Sequence, residues 1–580
     1  MRFQLDTHPS IAEDHAHKLR ATIAKEADAS QRYTVVSRGS PMRTTLSGIK
    51  IFSDFASDSD RTLDRKGSGE GNFPHHSKEP NLYSTLSSSR SSANAALPVL
   101  SSDPILTISR EKSGSFALAY SIGNVPSDKN GWNLFVDERE FRRQIDGDPA
   151  VSSYLKFYKN DRGNICKTYP SKLLLPASTT SVTLAKVADF RAKNRLPVIT
   201  YYHRRNRCVL TRSSQPLLGN LLSGTSNVSD QLLLGVYRRL PDIIKNQSQS
   251  SQSSRPLYIF DARKPKASTG NRLMGKGGVE TPQDYPGAVV HHLNIANMYR
   301  MQSSYMGLMK LLLPGGVDDN DRTWLSSVES TRWLDHVRLV LGGALKIARV
   351  LESEGASALV HCSDGWDRTS QLCALAQLMI DPYYRTIRGF AVLVEKDWLA
   401  FGHKYAERCG SDRSRDPQRN KSSPVMLQFL DAVWQMQRQY PYSFEFNERF
   451  LLHLANSLTS GLYGTFMYDS RLQRDVNEVK SSTVSVWTPV LMKPYLYTTS
   501  NYKMHDGPIW PWVSCTMIRL WDSYFFQWHP KFYKCQWVCS LVSHGPLTCH
   551  DGKGASADNN REEDQHDQVS NLNSSSVKHS

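Results

Sequence analysis

The chain has 580 residues, of which 39% are hydrophobic and 22% charged. This composition allows one large globular domain with extensions, or two to three domains, and it excludes a wholly disordered chain, a collagen-like fibre and a simple coiled coil. The formal net charge of +16 favours an anionic partner, whether nucleic acid, acidic lipid or a phosphorylated substrate. We see neither an apolar run long enough to predict a membrane span nor the apolar core of a secretory signal.

Residues 1–104 lack apolar periodicity and contain Asp/Ser-rich and Ser-rich runs, so we expect a poorly ordered amino-terminal region. From residue 105 to about 540, short apolar runs alternate with helical patterns, which predicts an α/β domain. The polar residues 541–580 predict a disordered tail. The predicted strands are 173–175, 197–202, 257–260 and 289–293, and the predicted helices are 184–190, 301–313 and 333–352.

The nine cysteines are odd in number and mostly scattered, which is typical of a reducing compartment. One local cluster contains Cys535, Cys539, Cys549 and His550. Its spacing is looser than the paired spacing of zinc sites, so we expect ordinary thiols and no metal there.

The most informative segment is 358–369, where an apolar run ends at His361 and Cys362 follows at once. Five residues later comes Arg368, where an amphipathic helical pattern begins. Backbone N–H groups converge at the start of a helix and bind anions, and the same partial positive charge favours a thiolate. The pattern therefore predicts that Cys362 attacks phosphorus while the planar guanidinium of Arg368 holds two phosphate oxygens.

Two carboxyl groups in the same loop are candidates for the general acid that protonates the expelled alkoxide. Asp367 is the first choice because it adjoins Arg368, and Asp364 is the second. We expect His361 to fix the loop through hydrogen bonds, and its imidazolium would also steady the thiolate. The non-catalytic alternative for this segment is a buried cysteine at a strand end, with the arginine and an aspartate paired on the surface. The predicted phosphate cradle consists of the backbone amides of Ser363, Asp364, Gly365, Trp366, Asp367 and Arg368.

Residues 361–370, HCSDGWDRTS, resemble the active-site signature of the myotubularin phosphoinositide 3-phosphatases. Tyrosine phosphatases share only the cysteine and the arginine of this signature, and the residues between them differ. Further blocks continue the resemblance between residues 116 and 530, among them 130–132, 187–191, 260–263 and 398–403. The resemblance implies a cysteine-phosphatase (protein tyrosine phosphatase-like) domain with a mixed central sheet flanked by helices. It also implies removal of the 3-phosphate from phosphatidylinositol 3-phosphate and phosphatidylinositol 3,5-bisphosphate, with no metal or organic cofactor.

The family's substrate contacts carry over onto five positions outside the loop: Asn271, Asn297, Met298, Lys404 and Arg408. Lys404 stands where the family often has Arg, so it would hold a second phosphate as a point charge without a bidentate fork. We expect Lys404 and Arg408 to share a helix face. The alternative for this pair is a solvated helix surface.

The resemblance further implies phosphoinositide lipids at a membrane surface as partners, a homodimer or heterodimer with family members, and no nucleic acid. The expected location is cytoplasmic and peripheral on endosomal or vacuolar membranes. The chain departs from the family because the expected pleckstrin/GRAM-type module is at most degenerate in residues 1–104, and we recognise neither a zinc finger nor a coiled coil after the catalytic domain. Two rival functions are a catalytically weak or inactive lipid- or partner-binding scaffold of the same family and a protein tyrosine phosphatase.

Overall fold

The structure is a computed structural model that describes residues 106–110, 116–120, 125–217, 227–245, 255–265, 277–313, 322–410 and 421–527. The segments predicted to be disordered, 1–104 and 541–580, lie outside these ranges, and so does the Gln/Ser-rich run 247–254. Within them, none of the helices combines the length and the apolar character that crossing a bilayer requires.

Seven strands form a mixed sheet in the order β3-β4-β5-β6-β9-β7-β8. Strands β3 to β6 pair antiparallel, whereas β6, β9, β7 and β8 run parallel to one another. A separate antiparallel pair, β1 with β2, precedes the sheet. The strands are β1 Leu106–Arg110, β2 Phe116–Tyr120, β3 Leu155–Lys159, β4 Lys172–Pro176, β5 Val198–His203, β6 Cys208–Ser213, β7 Leu257–Asp261, β8 Ala288–His292 and β9 Ala358–His361.

Helices cover both faces of the sheet. The helices are α1 Asp137–Ile145, α2 Pro149–Ser152, α3 Ser181–Phe190, α4 Val228–Ile244, α5 Met298–Leu312, α6 Trp324–Thr331, α7 Trp333–Arg349, α8 Arg368–Ile380, α9 Ile387–Val394, α10 Tyr405–Cys409, α11 Val425–Gln439, α12 Glu448–Ser460, α13 Arg471–Val476, α14 Val479–Ser482, α15 Trp487–Met492 and α16 Asp522–Phe525. Two of them continue as wider π turns, α7 into Val350–Glu354 and α9 into Glu395–Ala400.

The interior strand β9 shows that the sheet is buried on both sides. Successive strand residues face opposite sides of a sheet. Val360 packs in the core that contains α7, α8 and α11, whereas Leu359 packs in the core that contains α3 and α4. Because both faces are covered, a parallel strand can be apolar throughout, and all four side chains of β9 are buried.

The predicted α/β fold with a mixed sheet flanked by helices is confirmed. Each of the four predicted strands lies within or overlaps an observed strand, and each predicted helix overlaps an observed helix. The helix starts differ because caps decide them. Thr180 accepts a hydrogen bond from the backbone N–H of Thr183 and thereby starts α3 three residues before the predicted position. Asn297 caps α5 in the same way, through the N–H of Arg300.

Candidate active site

The site lies at the carboxyl end of β9, in the middle of the sheet. The signature loop, residues 362–368, connects β9 to α8, whose first residue is Arg368. Carboxyl ends of parallel strands meet at one sheet edge, and the start of a helix carries unpaired N–H groups, so such an edge is a typical anion-binding position. The strand, loop and helix order that the sequence predicted is confirmed.

Gly365 gives the signature loop its shape. Its φ of +80° is in the left-handed region, and a Cβ there would lie 2.4 Å from the backbone oxygen of Ser213 in β6. The amide of Gly365 donates to Sγ of Cys362 at 3.2 Å. This contact directs one loop amide at the sulfur that the sequence predicts to be the nucleophile.

Two buried arginines hold the other side of the same loop. The oxygen of Gly365 accepts from Nη2 of Arg195 at 2.8 Å and from Nη2 of Arg212 at 3.1 Å. Arg195 also donates to Oγ1 of Thr168 at 2.6 Å, and Arg212 donates to Oδ1 of Asp397 at 3.1 Å. With its carbonyl turned toward the guanidinium groups, the Gly365 peptide is fixed in the orientation that directs its N–H at the sulfur.

His361, the residue before the nucleophile, belongs to a buried ion pair. Nε2 of His361 is 2.9 Å from Oε2 of Glu280, and Oε1 of Glu280 accepts from Arg191 at 2.6 Å. Burial lowers the pKa of His361, but the charges of Glu280 and Asp261 outweigh it, and the net pKa is raised. Nδ1 of His361 lies 3.2 Å from the oxygen of Cys362. This contact places His361 where it can orient the loop, and its expected effect on the thiolate stays a prediction.

Asp367 forms an ion pair across the site with Arg408. Nε of Arg408 is 3.2 Å from both carboxylate oxygens of Asp367, and Nη2 is 2.9 Å from Oδ2. Nδ1 of His403 is 3.1 Å from Oδ1. Burial raises the pKa of Asp367, but Arg408 and His403 overcome this effect and hold that pKa well below its usual range. Asp367 is thus a carboxylate at neutral pH.

Asp364 has the opposite electrostatics. Burial and then the charge of Asp367 raise its pKa above the usual range. A general acid must carry a proton at the working pH, so the electrostatics favour Asp364 over Asp367, the reverse of the order that the sequence suggested. The identity of the acid stays a prediction.

The remaining loop residues contact other segments around the site. Nη1 of Arg368 donates to the oxygen of Ile295 at 3.3 Å, which places the segment before α5 beside the loop. The oxygen of Ser363 accepts from the N–H of Gln215 at 3.0 Å. Trp366 is nearly buried, and Nζ of Lys404 lies 4.7 Å from the centre of its ring.

The predicted contacts outside the loop have separate positions. Asn297 is exposed and caps α5, while Met298 follows it in the chain. Lys404 precedes α10 and pairs with Glu407 at 2.7 Å, whereas Arg408 turns inward to Asp367. Asn271 lies outside the described residues. Arg408 also pairs with Glu407, at 3.2 Å, so the two cations have one carboxylate in common. Their expected joint contact with a second phosphate stays a prediction.

Sequence reasoning missed the arginines and the glutamate that support the loop: Arg195, Arg212 and Glu280. The signal in the sequence is a charged residue beside or inside an apolar strand, since such a charge is buried and needs a partner. Arg212 in β6 and Arg195 just before β5 both meet this description. Within the described residues, no three His, Cys, Asp or Glu side chains are grouped as metal ligands would be.

A cysteine at the end of an interior parallel strand, a loop amide directed at its sulfur and an arginine at the helix start are typical of the cysteine-dependent phosphatase class. The profile of the family described as "Myotubularin-like phosphatase domain" matches residues 115–475. The chain therefore belongs to the myotubularin-like phosphatase family.

Two relatives show how far the likeness extends. Myotubularin of Xenopus tropicalis is 40% identical over 409 residues, which are 70% of this chain and 65% of the relative. The phosphatidylinositol-3,5-bisphosphate 3-phosphatase MTMR2 of Mus musculus is 40% identical over 404 residues, which are 70% of this chain and 60% of the relative. The match thus spans slightly less than two thirds of the curated relatives.

Proposed function

We propose that this chain is a phosphoinositide 3-phosphatase that removes the 3-phosphate of phosphatidylinositol 3-phosphate and phosphatidylinositol 3,5-bisphosphate through a phospho-cysteine intermediate. The observation that carries the proposal is the Gly365 peptide, whose N–H points at Sγ of Cys362 while its oxygen is held by two buried arginines. The name of the mouse relative, a phosphatidylinositol-3,5-bisphosphate 3-phosphatase, supports this choice of substrate.

In the first step the Cys362 thiolate forms a bond to phosphorus, and the bond from phosphorus to the inositol oxygen breaks. The loop amides and Arg368 bind the equatorial oxygens of the phosphoryl group, whose charge is spread in the transition state. Asp364 gives its proton to the departing inositol oxygen. The products are the free 3-hydroxyl and an S-phosphorylated cysteine.

In the second step a water molecule attacks the same phosphorus atom. The carboxylate of Asp364 takes the proton from the water, the phosphorus–sulfur bond breaks, and the Cys362 thiolate and inorganic phosphate are released. The positive charge of His361 stabilises the departing thiolate. The loop returns to its starting protonation state, so the cycle needs neither an oxidant nor a reductant.

The proposal extends to where the enzyme works. The substrate is part of a membrane, and the basic net charge of +16 suits peripheral binding to an anionic lipid surface. We therefore propose a cytoplasmic protein, peripheral on endosomal or vacuolar membranes, that acts as a homodimer or as a heterodimer with family members. Light scattering and fractionation test assembly and location separately from catalysis.

The experiment that tests the reaction is phosphate release from short-chain phosphoinositides that carry phosphate at different ring positions. We expect turnover only with ligands that bear a 3-phosphate, and we expect Cys362→Ser to remove it while leaving binding. Turnover that is more efficient with phosphotyrosine peptides would favour a protein tyrosine phosphatase. Lipid binding by folded, reduced wild type without turnover of any substrate would favour a scaffold.

A further inference from the structure

A basic groove includes Trp366 of the signature loop in its lining, whereas Arg408 does not line it. It has a volume of about 890 Å³ and lies between α3, the loop that joins β3 to β4, and the turn before β5. Trp366 and Lys404 form the end of the groove that meets the active site. Its walls are of two kinds, one cationic and one apolar.

The cationic wall contains Lys159, Lys167 and Lys193, with Lys404 at the end next to the loop. The first three are exposed, and within the described part of the chain no ion pair involves them. Asp189 also lines the groove, and it accepts a hydrogen bond from Nδ2 of Asn194 at 3.2 Å. Several cations with one carboxylate between them favour an anionic ligand.

The backbone of Lys193 is connected to the catalytic loop through Arg195, two residues further along the chain. Lys193 and Asn194 have φ values of 58° and 57°, a left-handed conformation that non-glycine residues rarely adopt. The next residue is Arg195, whose guanidinium binds the oxygen of Gly365. The positive charge of Lys193 also acts on Asp364, where it opposes the larger rise in pKa that burial and Asp367 cause. The Lys193 turn is therefore attached to the same arginine that sets the loop.

A second part of the lining is apolar. It is formed by Tyr158 and Ile165 from the region of β3, and by Leu184, Ala185 and Ala188 on one face of α3. A second inorganic phosphate needs no such wall. A phosphodiester of a glycerolipid suits both kinds of lining, because its phosphate can contact the cations and its glycerol and acyl carbons can contact the apolar residues.

We propose that this groove binds the glycerophosphodiester part of the phosphoinositide substrate, with Lys193 contacting the phosphate on ring position 1 while the signature loop holds the 3-phosphate. The inference rests on the proposed function for its substrate class. It assigns Lys193, Lys167 and the α3 face to recognition of the lipid portion that does not react. Substrates without a 1-phosphate would then gain nothing from Lys193.

The test pairs removal of one charge with removal of one phosphate. In a Cys362→Ser background, calorimetry measures the Kd of inositol 3-phosphate, inositol 1,3-bisphosphate and dibutanoyl phosphatidylinositol 3-phosphate, with and without Lys193→Gln. We expect Lys193→Gln to weaken binding of the last two ligands roughly tenfold, the effect of losing one charge-assisted contact. Binding of inositol 3-phosphate should be unchanged, and Lys193→Arg should restore the affinity.

Lys186→Gln is the matched control, because Lys186 is an exposed lysine of α3 that does not line the groove. Equal losses on all three ligands, or losses no larger than those of Lys186→Gln, would overturn the assignment. A Cys362→Ser protein that binds none of the ligands would overturn it as well. Because binding needs no turnover, a wild type without phosphatase activity refutes only the proposed function.

Discussion

Replacing Gly365 with alanine tests whether the shape of the signature loop limits the reaction. The new Cβ would lie 2.4 Å from the oxygen of Ser213, whereas ordinary contacts begin near 3.4 Å, so the loop must move by about 1 Å. The left-handed φ adds about 1–2 kcal/mol of backbone strain. A displacement of about 1 Å at a reacting group can lower the rate on the order of a hundredfold. We therefore expect kcat/KM to fall by roughly that factor.

Gly461→Ala is the control for the backbone strain alone. Gly461 ends α12 with a φ of +69°, and no heavy atom lies within 4 Å of its added Cβ. It should lose about 1 kcal/mol of stability and retain full kcat/KM. Phosphate release and thermal unfolding are measured for both variants. If Gly365→Ala retains the kcat/KM of Gly461→Ala, the loop tolerates the displacement and the reasoning is wrong.

Three further outcomes follow from the site and the core. Asp364→Asn should lower kcat with phosphoinositides but spare an aryl phosphate, whose leaving group needs no proton, whereas equal losses on both substrates would exclude Asp364 as the acid. Arg195→Lys should lower kcat more than it raises KM, because lysine lacks the two separate guanidinium nitrogens that reach Thr168 and the Gly365 oxygen. A change in KM alone would contradict this. Burial raises the pKa of Asp431 to about 6, so the folded chain binds this proton more tightly than the unfolded chain. Stability should therefore fall as pH rises from about 4 to 6, by up to about 3 kcal/mol for a shift of about two units. The Tm of wild type minus that of Asp431→Asn should decrease over this range, and a constant difference would refute the assignment.

The elements of the fold were predictable where burial alone decides the sequence. The strands 173–175 and 257–260 are apolar runs, and a strand covered on both faces leaves little other choice. Element ends were less predictable because single side chains set them, as Thr180 does for α3. Strand β6 was missed because Arg212 interrupts its apolar pattern.

The residues of the candidate site also differ in how well the sequence predicts them. Cys362, Gly365 and Arg368 are neighbours in sequence, so their spacing already describes a loop before a helix. Glu280 and Arg195 come from distant segments and meet the loop only after the sheet is assembled. A contact between residues far apart in the chain leaves no local periodicity. A single sequence, read without an alignment, therefore cannot reveal it.

The arrangement of charge explains why so many of these distant residues are needed. A phosphate dianion that enters the loop loses much of its hydration, and fixed N–H dipoles and cations must replace that water. Arg195 and Arg212 act from beneath the loop by orienting the Gly365 peptide rather than by touching the ligand. Their own burial is compensated by other partners, such as Asp397 for Arg212. The loop is therefore held in its binding shape before any ligand arrives, so that little reorganisation opposes the transition state. The same reasoning predicts that variants beneath the loop change kcat, whereas variants of the groove lysines change ligand affinity.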